Sequence, residues 1–545
     1  MSPAHALSAS VVAIVLVAVA CGGAAAPTAT KAPVAPAAAA TATPARAPAA
    51  TTAAASGKAT GKVIIAVASE MLKNSLDPAT STGVPYVIQA SLYEPFAFLH
   101  EGNYETPVLA ASWKLAEDAR SWTFQLRKGV KFHNGEDFDA QVMIKNMKRA
   151  KGIGSAAFHE NVDGYETPDS HTLVLRVKKY DLALVSRLSW TTSIGMPAPA
   201  RYIDEVGEDG IQKHPIGTGP YKFVSLDTAV GALTLEAWDE WGGYWGFKPT
   251  VKTVVRLSIP QETTRVAMLA TGEADIAGLA AGPQLREVRG ATVYSSSSTQ
   301  VSWLEFFKQA DPTSPYSDVR VRQALNYAVD KQTIIDKVLG GAGEPVAVPL
   351  ASFQNGFPRD IKPYPYDPEK AKRLLAEAGF AGGFDGGTIL TASAANKTLG
   401  EAIAPYLEAI GVRVQVQPID AGTLYRRWNP PAHDLGKDSG MGFLGSNLPG
   451  DSAYRIESFF TKYGIWGYTV DPELDRVFDQ TFQVRTAAER DLLMEKAART
   501  THEKAYKLFL WSPKAVFGWG PRIADWRHGG IESGNAPLIQ SIRLK

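Results

Sequence analysis

The sequence predicts a mixed α/β protein, and three short segments carry that prediction. The segment SWTFQL alternates the apolar Trp122, Phe124 and Leu126 with polar residues, which is typical of a half-buried strand. The segment EAIAPYLEAIGVRVQVQPI passes from a helical pattern directly into an alternating strand, a succession typical of α/β layers. The segment DPEKAKRLLAEAGF has the cap, the early proline and the final glycine of a complete helix.

Length and charge narrow the possible classes of protein. With 545 residues, of which 45% are hydrophobic, the chain can bury large cores in about two or three domains. Lys and Arg total 56 against 55 acidic residues, so no net field attracts a polyanion. We therefore expect no nucleic-acid partner.

The N-terminal segment has the pattern of an export signal followed by a tether. The apolar stretch from Val11 to Ala20 is about half of the length that a membrane-spanning helix needs. Cys21 is the only cysteine, so it can form neither an internal disulfide nor a paired metal site. Residues 22–61 are almost entirely Ala, Pro, Thr and Gly, a composition that cannot form a core.

The string AVACGG around Cys21 resembles a bacterial lipoprotein signal, in which cleavage precedes the cysteine and its sulfur carries a diacylglycerol. The resemblance implies a signal peptide at residues 1–20, lipidation of Cys21 and a disordered tether at 21–61. An ordinary secretory signal beside an inert thiol is the alternative.

The remaining elements follow in chain order. VIIAV at 63–67 predicts a strand, Asn134-Gly135 a turn, and Asp139 the cap of a helix that buries Val142, Met143 and Met147. Further strands are predicted at 172–177 and after the Gly/Pro turn of PIGTGPYKFV, and at Val412, Val414 and Val416. Further helices are predicted after caps at Ser317, with Val321, Leu325 and Ala328 buried, at Asp330, continuing through Val338, and at Asp367, ending at Gly379.

The segment KFHNGEDFD, residues 131–139, concentrates polar groups and is the first candidate for a metal or catalytic site. However, His133 and Glu136 lie in a loop and lack the helical spacing of HExxH, and HEKAY from His502 has tyrosine in place of the second histidine. A turn, a helix cap and local hydrogen bonds account for each polar residue. We therefore predict no metal ligands and no catalytic residues here.

Common enzyme signatures are absent from the sequence. No Gly-Lys pair is followed by Ser or Thr, so the chain has no phosphate-binding P-loop, and no GxSxG elbow occurs. One GxGxxG, at Gly440 to Gly445, has no apolar strand before it and Pro449 after it. We predict a protein that is not an enzyme and needs no cofactor.

Six segments, taken together, resemble the extracellular solute-binding proteins of the oligopeptide, dipeptide and nickel class, family 5, which serve ABC importers. The resemblance covers residues 62–545. In the family's order the segments are SLYEPFAFL, LAASWKLAEDARSWTFQLRKGVKFHNGEDFDA, PIGTGPYKFV, YWGFKP, DVRVRQALNYAVDKQTII and DPEKAKRLLAEAGF.

The resemblance implies a two-lobed, periplasmic-binding-protein-like fold of type II with an extra subdomain in lobe one. Lobe one would comprise residues 62–96, 214–298 and 505–545, its subdomain residues 97–213, and lobe two residues 299–504. The chain would cross between lobes near Ser298 and near Lys504, so that two connections bend while each lobe stays rigid.

By the same resemblance, relatives that bind peptides use an aspartate in a GW..D segment for the amino terminus. Here the segment is GFLGSNLPGD, in which Phe443 replaces the tryptophan, and Ser446 or Asn447 falls where the carboxylate should be, while Asp451 or Asp438 could reach the site. Aromatic residues near the lobe junction and in lobe two could form pocket walls or belong to the core. The predicted ligand-binding residues are Thr82, Gly83, Val84, Trp303, Phe443, Ser446, Asn447, Asp451 and Trp466.

The sequence thus predicts a lipid-anchored, monomeric receptor outside the cytoplasm, in the periplasm or on the outer face of the cytoplasmic membrane. It would capture a peptide or peptide-sized solute and deliver it to an ABC permease and, through it, to ATPase subunits. Alternatives are an oligosaccharide-binding protein, a nickel- or metal-chelate-binding protein using His433, a sensor, and a secreted hydrolase that His133→Ala would inactivate.

Overall fold

A computed structural model gives the fold of most of the chain beyond its N-terminal segment. The residues that it describes are 58–68, 75–80, 91–100, 103–152, 155–181, 184–189, 192, 194–243, 248–279, 288–296, 298–428, 432–437, 439–446, 452–464, 466–484, 486–526 and 539–545. The predicted signal peptide, Cys21 and nearly all of the predicted tether lie outside these residues.

Strands occur in both halves of the chain. In chain order they are β1 Thr60–Val67, β2 Ala97–His100, β3 Asn103–Pro107, β4 Ala110–Leu115, β5 Ser121–Leu126, β6 Val162–Asp169, β7 Thr172–Val177, β8 Tyr221–Asp227, β9 Ala232–Ala237, β10 Val251–Ser258, β11 Ile276–Leu279, β12 Thr292–Ser296, β13 Val301–Phe306, β14 Gly343–Pro345, β15 Phe384–Thr391, β16 Val412–Pro418, β17 Met441–Ser446, β18 Lys507–Pro513, β19 Ala515–Trp519, β20 Ile523–Trp526 and β21 Ile542–Leu544.

Helices alternate with the strands, most of them in the second half of the chain. They are α1 Ala140–Arg149, α2 Ser155–Asn161, α3 Leu184–Arg187, α4 Ala200–Lys213, α5 Glu262–Thr271, α6 Val319–Ala328, α7 Lys331–Lys337, α8 Pro368–Glu377, α9 Ala394–Glu408, α10 Ala421–Trp428, α11 Ser452–Phe460, α12 Pro472–Thr481 and α13 Ala487–Glu503. Across the described residues, we find no helix whose length and apolar composition would suit a membrane span.

Two large sheets define two lobes, and the predicted α/β class is confirmed. Among the described residues, the first sheet has the order β12-β19-β11-β1-β10-β9-β8 and the second the order β14-β18-β13-β17-β15-β16. Both sheets are mixed: β10 runs parallel to β1 but antiparallel to β9, and β17 runs parallel to β15 but antiparallel to β13. The second sheet is covered on both faces, because Leu304 and Phe306 of β13 enter one apolar cluster and Val301 and Trp303 enter another.

A smaller sheet with the order β4-β5-β7-β6 has its own apolar core and falls within residues 97–213. The predicted alternation in β5 is confirmed, because Trp122, Phe124 and Leu126 are buried. The predicted cap is confirmed as well: the Asp139 carboxylate accepts the Val142 N–H at 2.9 Å. Sequence periodicity thus determines which face of this subdomain is buried.

The caps of α7 and α8 are confirmed, and that of α6 was wrong by one residue. Asp330 and Asp367 accept the N–H groups of Thr333 and Lys370. Asp318, not Ser317, caps α6, because Ser317 is the last residue of a 3-10 turn that Ser314 caps.

The chain passes between the two large sheets at two places. The first passage, between β12 and β13, contains Ser298. The second lies at Lys514, between β18 and β19, and therefore further along the chain than the expected Lys504. The passage lies later because β18 is hydrogen-bonded to β13 in the second lobe, so the chain enters the first lobe only after β18 ends.

Candidate functional site

The two passages between lobes lie side by side and are joined by a side chain. The Ser512 hydroxyl, just before the second passage, donates to the Gln300 carbonyl at 2.8 Å and contacts the Ser298 carbonyl at 3.2 Å. A relative rotation of the lobes must bend both connections together. The passages therefore form one hinge region.

A cavity of about 60 Å³ opens at this hinge region. Its lining includes Ser298 from the first passage, Pro513 and Lys514 from the second, and Ala351 and Phe353 from the loop that follows β14. Because its walls come from both passages and from a loop of the second lobe, a change in the hinge changes the shape of the cavity. No pattern in the sequence indicates that this loop contributes to the cavity.

Arg455 of α11 anchors the loop and the first passage to the second lobe. It is fully buried and donates to the Pro349 carbonyl at 3.0 Å, to the Gln354 side chain at 3.1 Å, and to the Thr299 carbonyl. A planar guanidinium can hold several acceptors at once with fixed geometry. Arg455 thus fixes the loop at two points and the first passage at one with a single side chain.

Trp303, a predicted ligand-binding residue, is fully buried in the second lobe. Its ring packs edge-on against Phe459 at 5.2 Å, and its N–H donates to Glu305 at 3.2 Å. Glu305 also pairs with Lys507, and neither side chain reaches solvent. Burial raises the pKa of Glu305 and lowers that of Lys507, so each charge depends on the other.

Phe443 and Trp303 lie on adjacent strands but on opposite faces of the sheet. Leu304 faces Phe443 and Trp303 faces Leu444 in the β13–β17 ladder. Phe443 packs 6.2 Å from the Trp511 ring and is 5% exposed. Both predicted aromatic residues are therefore covered by their own lobe, and contact of either ring with a solute stays a prediction.

The other predicted ligand-binding residues divide into two groups. Trp466 is half-buried, packs 5.4 Å from Phe459 and accepts the Trp428 N–H on its carbonyl at 2.9 Å. Ser446 ends β17 opposite Val301. The rest lie outside the described residues and stay predictions: Thr82, Gly83, Val84, Asn447 and Asp451.

The polar segment at 131–139 is bonded within itself and, through His133, to a distant turn at Gly217 and Gly219, so the expectation of only local hydrogen bonds for His133 was wrong. The His133 ring contacts the Gly219 carbonyl at 2.9 Å and accepts the Gly217 N–H at 3.3 Å. Glu136 accepts from Asn134, and Lys131 pairs with Asp137. Burial lowers the pKa of His133 to about 4, so the ring is neutral at physiological pH.

Two other possibilities raised by the sequence are a nucleotide-binding GxGxxG turn and a metal site. The GxGxxG string at Gly440 to Gly445 lies largely in β17, a strand paired on both sides, and so does not form a phosphate-binding turn. In the described part of the chain, no group of three or more His, Cys, Asp or Glu side chains is arranged to hold a metal ion.

Glu305, Lys507 and Arg455 were missed by sequence reasoning. A signal existed for the first two, because VSWLEFF and YKLFLW each place one charge inside an apolar strand, and such charges need partners. No pattern around Arg455 distinguishes it from a surface arginine, so only the fold identifies its role.

Two lobes, two adjacent passages and a cavity at the hinge region are the arrangement of two-lobed solute-binding proteins. A family model described as bacterial extracellular solute-binding proteins, family 5 Middle, matches residues 105–464. The chain belongs to this family, the family 5 solute-binding proteins of ABC importers, and the resemblance seen in the sequence is confirmed. Its members bind solutes outside the cytoplasm and are not enzymes.

Curated relatives include a heme-binding and a glutathione-binding protein. Heme-binding protein A of Haemophilus influenzae is 33% identical over 51% of this chain, and the match spans only 54% of that relative. Glutathione-binding protein GsiB of Pectobacterium atrosepticum is 29% identical over 67% of this chain and 70% of its own length.

Solved structures share the fold over most of the chain. DppA from Helicobacter pylori, in complex with the peptide STSA, has a TM-score of 0.73 at 23% identity, covering 89% of this chain and 98% of that one. NikA from Brucella suis, in complex with Fe(III)-EDTA, has a TM-score of 0.76 at 22% identity, covering 89% and 100%. These likenesses establish the two-lobed fold.

Proposed function

We propose that the protein captures peptides or peptide-sized solutes between its two lobes and delivers them to an ABC permease. The observation that carries this proposal is the hinge region, in which Ser512 joins two adjacent passages beside a cavity. A solute that contacts both lobes stabilises their closed arrangement, because only differential contact shifts such an equilibrium.

Charged groups beside the cavity favour a zwitterionic solute. Lys514 and Glu344 both line it, and their charged atoms lie 3.4 Å apart. The side chains are 33% and 54% exposed, so water screens their mutual attraction. Lys514 therefore remains available to a carboxylate, and Glu344 to an ammonium group, of a bound peptide. Without such partners, the charged groups of the peptide would lose their hydration uncompensated.

The names of two of the relatives support the same solute class. One binds glutathione, a small peptide-like compound, and a structural neighbour holds a tetrapeptide. We assign the solute contacts to the residues that the family pattern indicates. These are Thr82, Gly83, Val84, Trp303, Phe443, Ser446, Asn447, Asp451 and Trp466.

The test is a binding screen on protein stripped of any co-purified compound. Tryptophan fluorescence is recorded during titration with glutathione, the peptide STSA, an oligosaccharide, heme and Fe(III)-EDTA. We expect saturable binding of the peptides. Saturation by the oligosaccharide or a chelate alone would overturn the proposed solute class, and native mass spectrometry of protein from its own host would then identify the compound.

We also propose that Cys21 carries a lipid that anchors the protein outside the cytoplasmic membrane. Wild type should partition into a detergent phase with a mass increase of a diacylglycerol and acyl chain, whereas Cys21→Ser should stay in the aqueous phase. A wild-type protein without added mass would overturn the anchor and leave the solute proposal intact.

A further inference from the structure

The two lobes also meet away from the hinge region, at the end of α3 in the subdomain. Arg187 donates through Nη2 to Glu457 Oε2 of α11, in the second lobe, at 2.9 Å. Its Nε donates to Asp181 at 3.1 Å, and its guanidinium carbon lies 4.9 Å from the centroid of the Tyr454 ring. One cation of the subdomain thus contacts an anion and an aromatic face of the opposite lobe.

This contact is well shielded from water. The side chains of Arg187, Asp181 and Glu457 are 7%, 13% and 22% exposed. Burial alone would lower the pKa of Arg187, but Asp181 and Glu457 hold it above its ordinary value, so the guanidinium remains charged. Removing Arg187 would leave Asp181 and Glu457 poorly solvated without their shared cation, whereas removing Glu457 would leave Arg187 paired with Asp181 alone.

A second cation of the same subdomain reaches the same side of the second lobe. Lys179 Nζ lies 5.4 Å from the Tyr463 ring centroid and 5.2 Å from that of Phe482. Ammonium groups at such distances are attracted to aromatic faces. The interface is therefore an extended set of cation contacts rather than a single ion pair.

Helix α11 links this interface to the hinge region. Tyr454 and Glu457 face the subdomain, whereas Arg455 of the same helix holds the Thr299 carbonyl in the first passage. The helix also follows directly after Asp451, a predicted solute contact. A shift of α11 would thus affect the subdomain contact, the hinge region and the solute segment together.

We infer that Arg187, with Glu457 and Tyr454, forms a closing contact that holds the lobes together and sets solute affinity without touching the solute. The inference rests on the proposed function, since only a protein that opens and closes would use the contact. On closing, Arg187 gains Glu457 and the Tyr454 ring as partners without any solute, so part of the free energy of closing comes from the protein itself. Apparent affinity scales with the population of the closed, binding-competent form.

The test measures the distance between the lobes without any solute. In a full-length Cys21→Ala background, cysteines introduced at the exposed Asp163 and Glu408 carry spin labels, and their distance distribution is recorded. We expect Arg187→Gln and Glu457→Gln each to lower the ratio of closed to open molecules about tenfold, the coupling of a partly buried charge pair. The double variant should be no more open than either single variant.

The matched control is Arg176→Gln, which removes an exposed arginine of the same subdomain that pairs with Glu166. It should leave the distances unchanged. Glu457→Gln keeps the side-chain shape and lies outside the subdomain, so misfolding of α3 cannot account for its effect. Unchanged distances in both Arg187→Gln and Glu457→Gln would overturn the closing contact.

A titration with glutathione separates this inference from the proposed function. If glutathione binds, both variants should bind it more weakly by the factor by which their measured fraction of closed molecules falls, and a fall in that fraction without any loss of affinity would count against the inference. If glutathione and STSA fail to bind wild type, the proposed solute class fails, while the solute-free distances still decide whether the closing contact exists.

Discussion

The Trp303 indole N–H donates to the Glu305 carboxylate at 3.2 Å, inside the core of the second lobe. Glu305 in turn pairs with the fully buried Lys507. An aromatic residue that sequence analysis assigns to the solute pocket is therefore oriented by an ion pair behind it. The position of Trp303 depends on this pair, whether or not its ring touches a solute.

Lys507→Met should destabilise the second lobe strongly. The substitution leaves Glu305 buried without its cation, and breaking one side of such a pair typically costs about 3–5 kcal/mol. Calorimetric unfolding should show a lower transition temperature for the second lobe. Lys372→Met, which breaks an exposed pair with Glu369, is the matched control and should cost at most about 1 kcal/mol.

Replacing both partners should cost less than replacing one. In Glu305→Leu/Lys507→Met no uncompensated charge remains, so we expect the double variant to recover more than half of the stability that Lys507→Met loses. Additive losses from the two substitutions would contradict the interpretation of Glu305 and Lys507 as a coupled pair.

Arg455→Lys should loosen the loop that lines the cavity. Lysine keeps the charge but cannot hold the Pro349, Gln354 and Thr299 acceptors at once. Amide hydrogen exchange in residues 346–357 should accelerate at least about tenfold. The control is Arg476→Lys, at an exposed position of α12, which should leave the exchange rates unchanged. Unchanged rates in Arg455→Lys would show that other contacts hold the loop and would contradict the prediction.

Stability should fall in acid partly through His133. The folded protein holds the pKa of His133 at about 4 against an ordinary 6.5, because burial disfavours the charged ring. Below pH 6.5 the unfolded chain binds a proton at His133, whereas the folded protein does not. The contribution of His133 to the free energy of unfolding is therefore complete above pH 6.5 and is lost as the pH falls toward 4.

His133→Asn isolates this effect. The urea concentration at the unfolding midpoint should fall more steeply for wild type than for the variant between pH 7 and about 4. The difference between the two midpoints should therefore become smaller as the pH falls. Parallel curves for the two proteins over that range would contradict a buried, neutral His133.

Gly217→Ala should destabilise the junction between lobe one and its subdomain. A Cβ at this position would lie 2.1 Å from the Leu92 carbonyl oxygen, which is backbone and cannot move aside easily. We expect a loss of about 2 kcal/mol or more in thermal unfolding. Gly164→Ala is the control, since nothing lies within 4 Å of the added atom, and equal stability of the two variants would refute the close approach.

Local features were predictable because they depend on neighbours in the sequence. Asp139, Asp330 and Asp367 cap helices through N–H groups three positions further on, and β5 buries every second residue. The error at Ser317 shows the limit of such reasoning, because two adjacent candidates satisfy the same pattern and the preceding turn selects Asp318.

The sequence by itself determined the α/β class, the principal caps and buried faces, and the family. Only the tertiary structure decided that the second passage lies at Lys514, that Trp303 is tied to Glu305, and that Arg187 meets Glu457 across the lobes. The reason is separation along the chain: Arg187 and Glu457 are 270 positions apart. No local period records a contact between such distant segments, which forms only when two independently packed lobes are brought together.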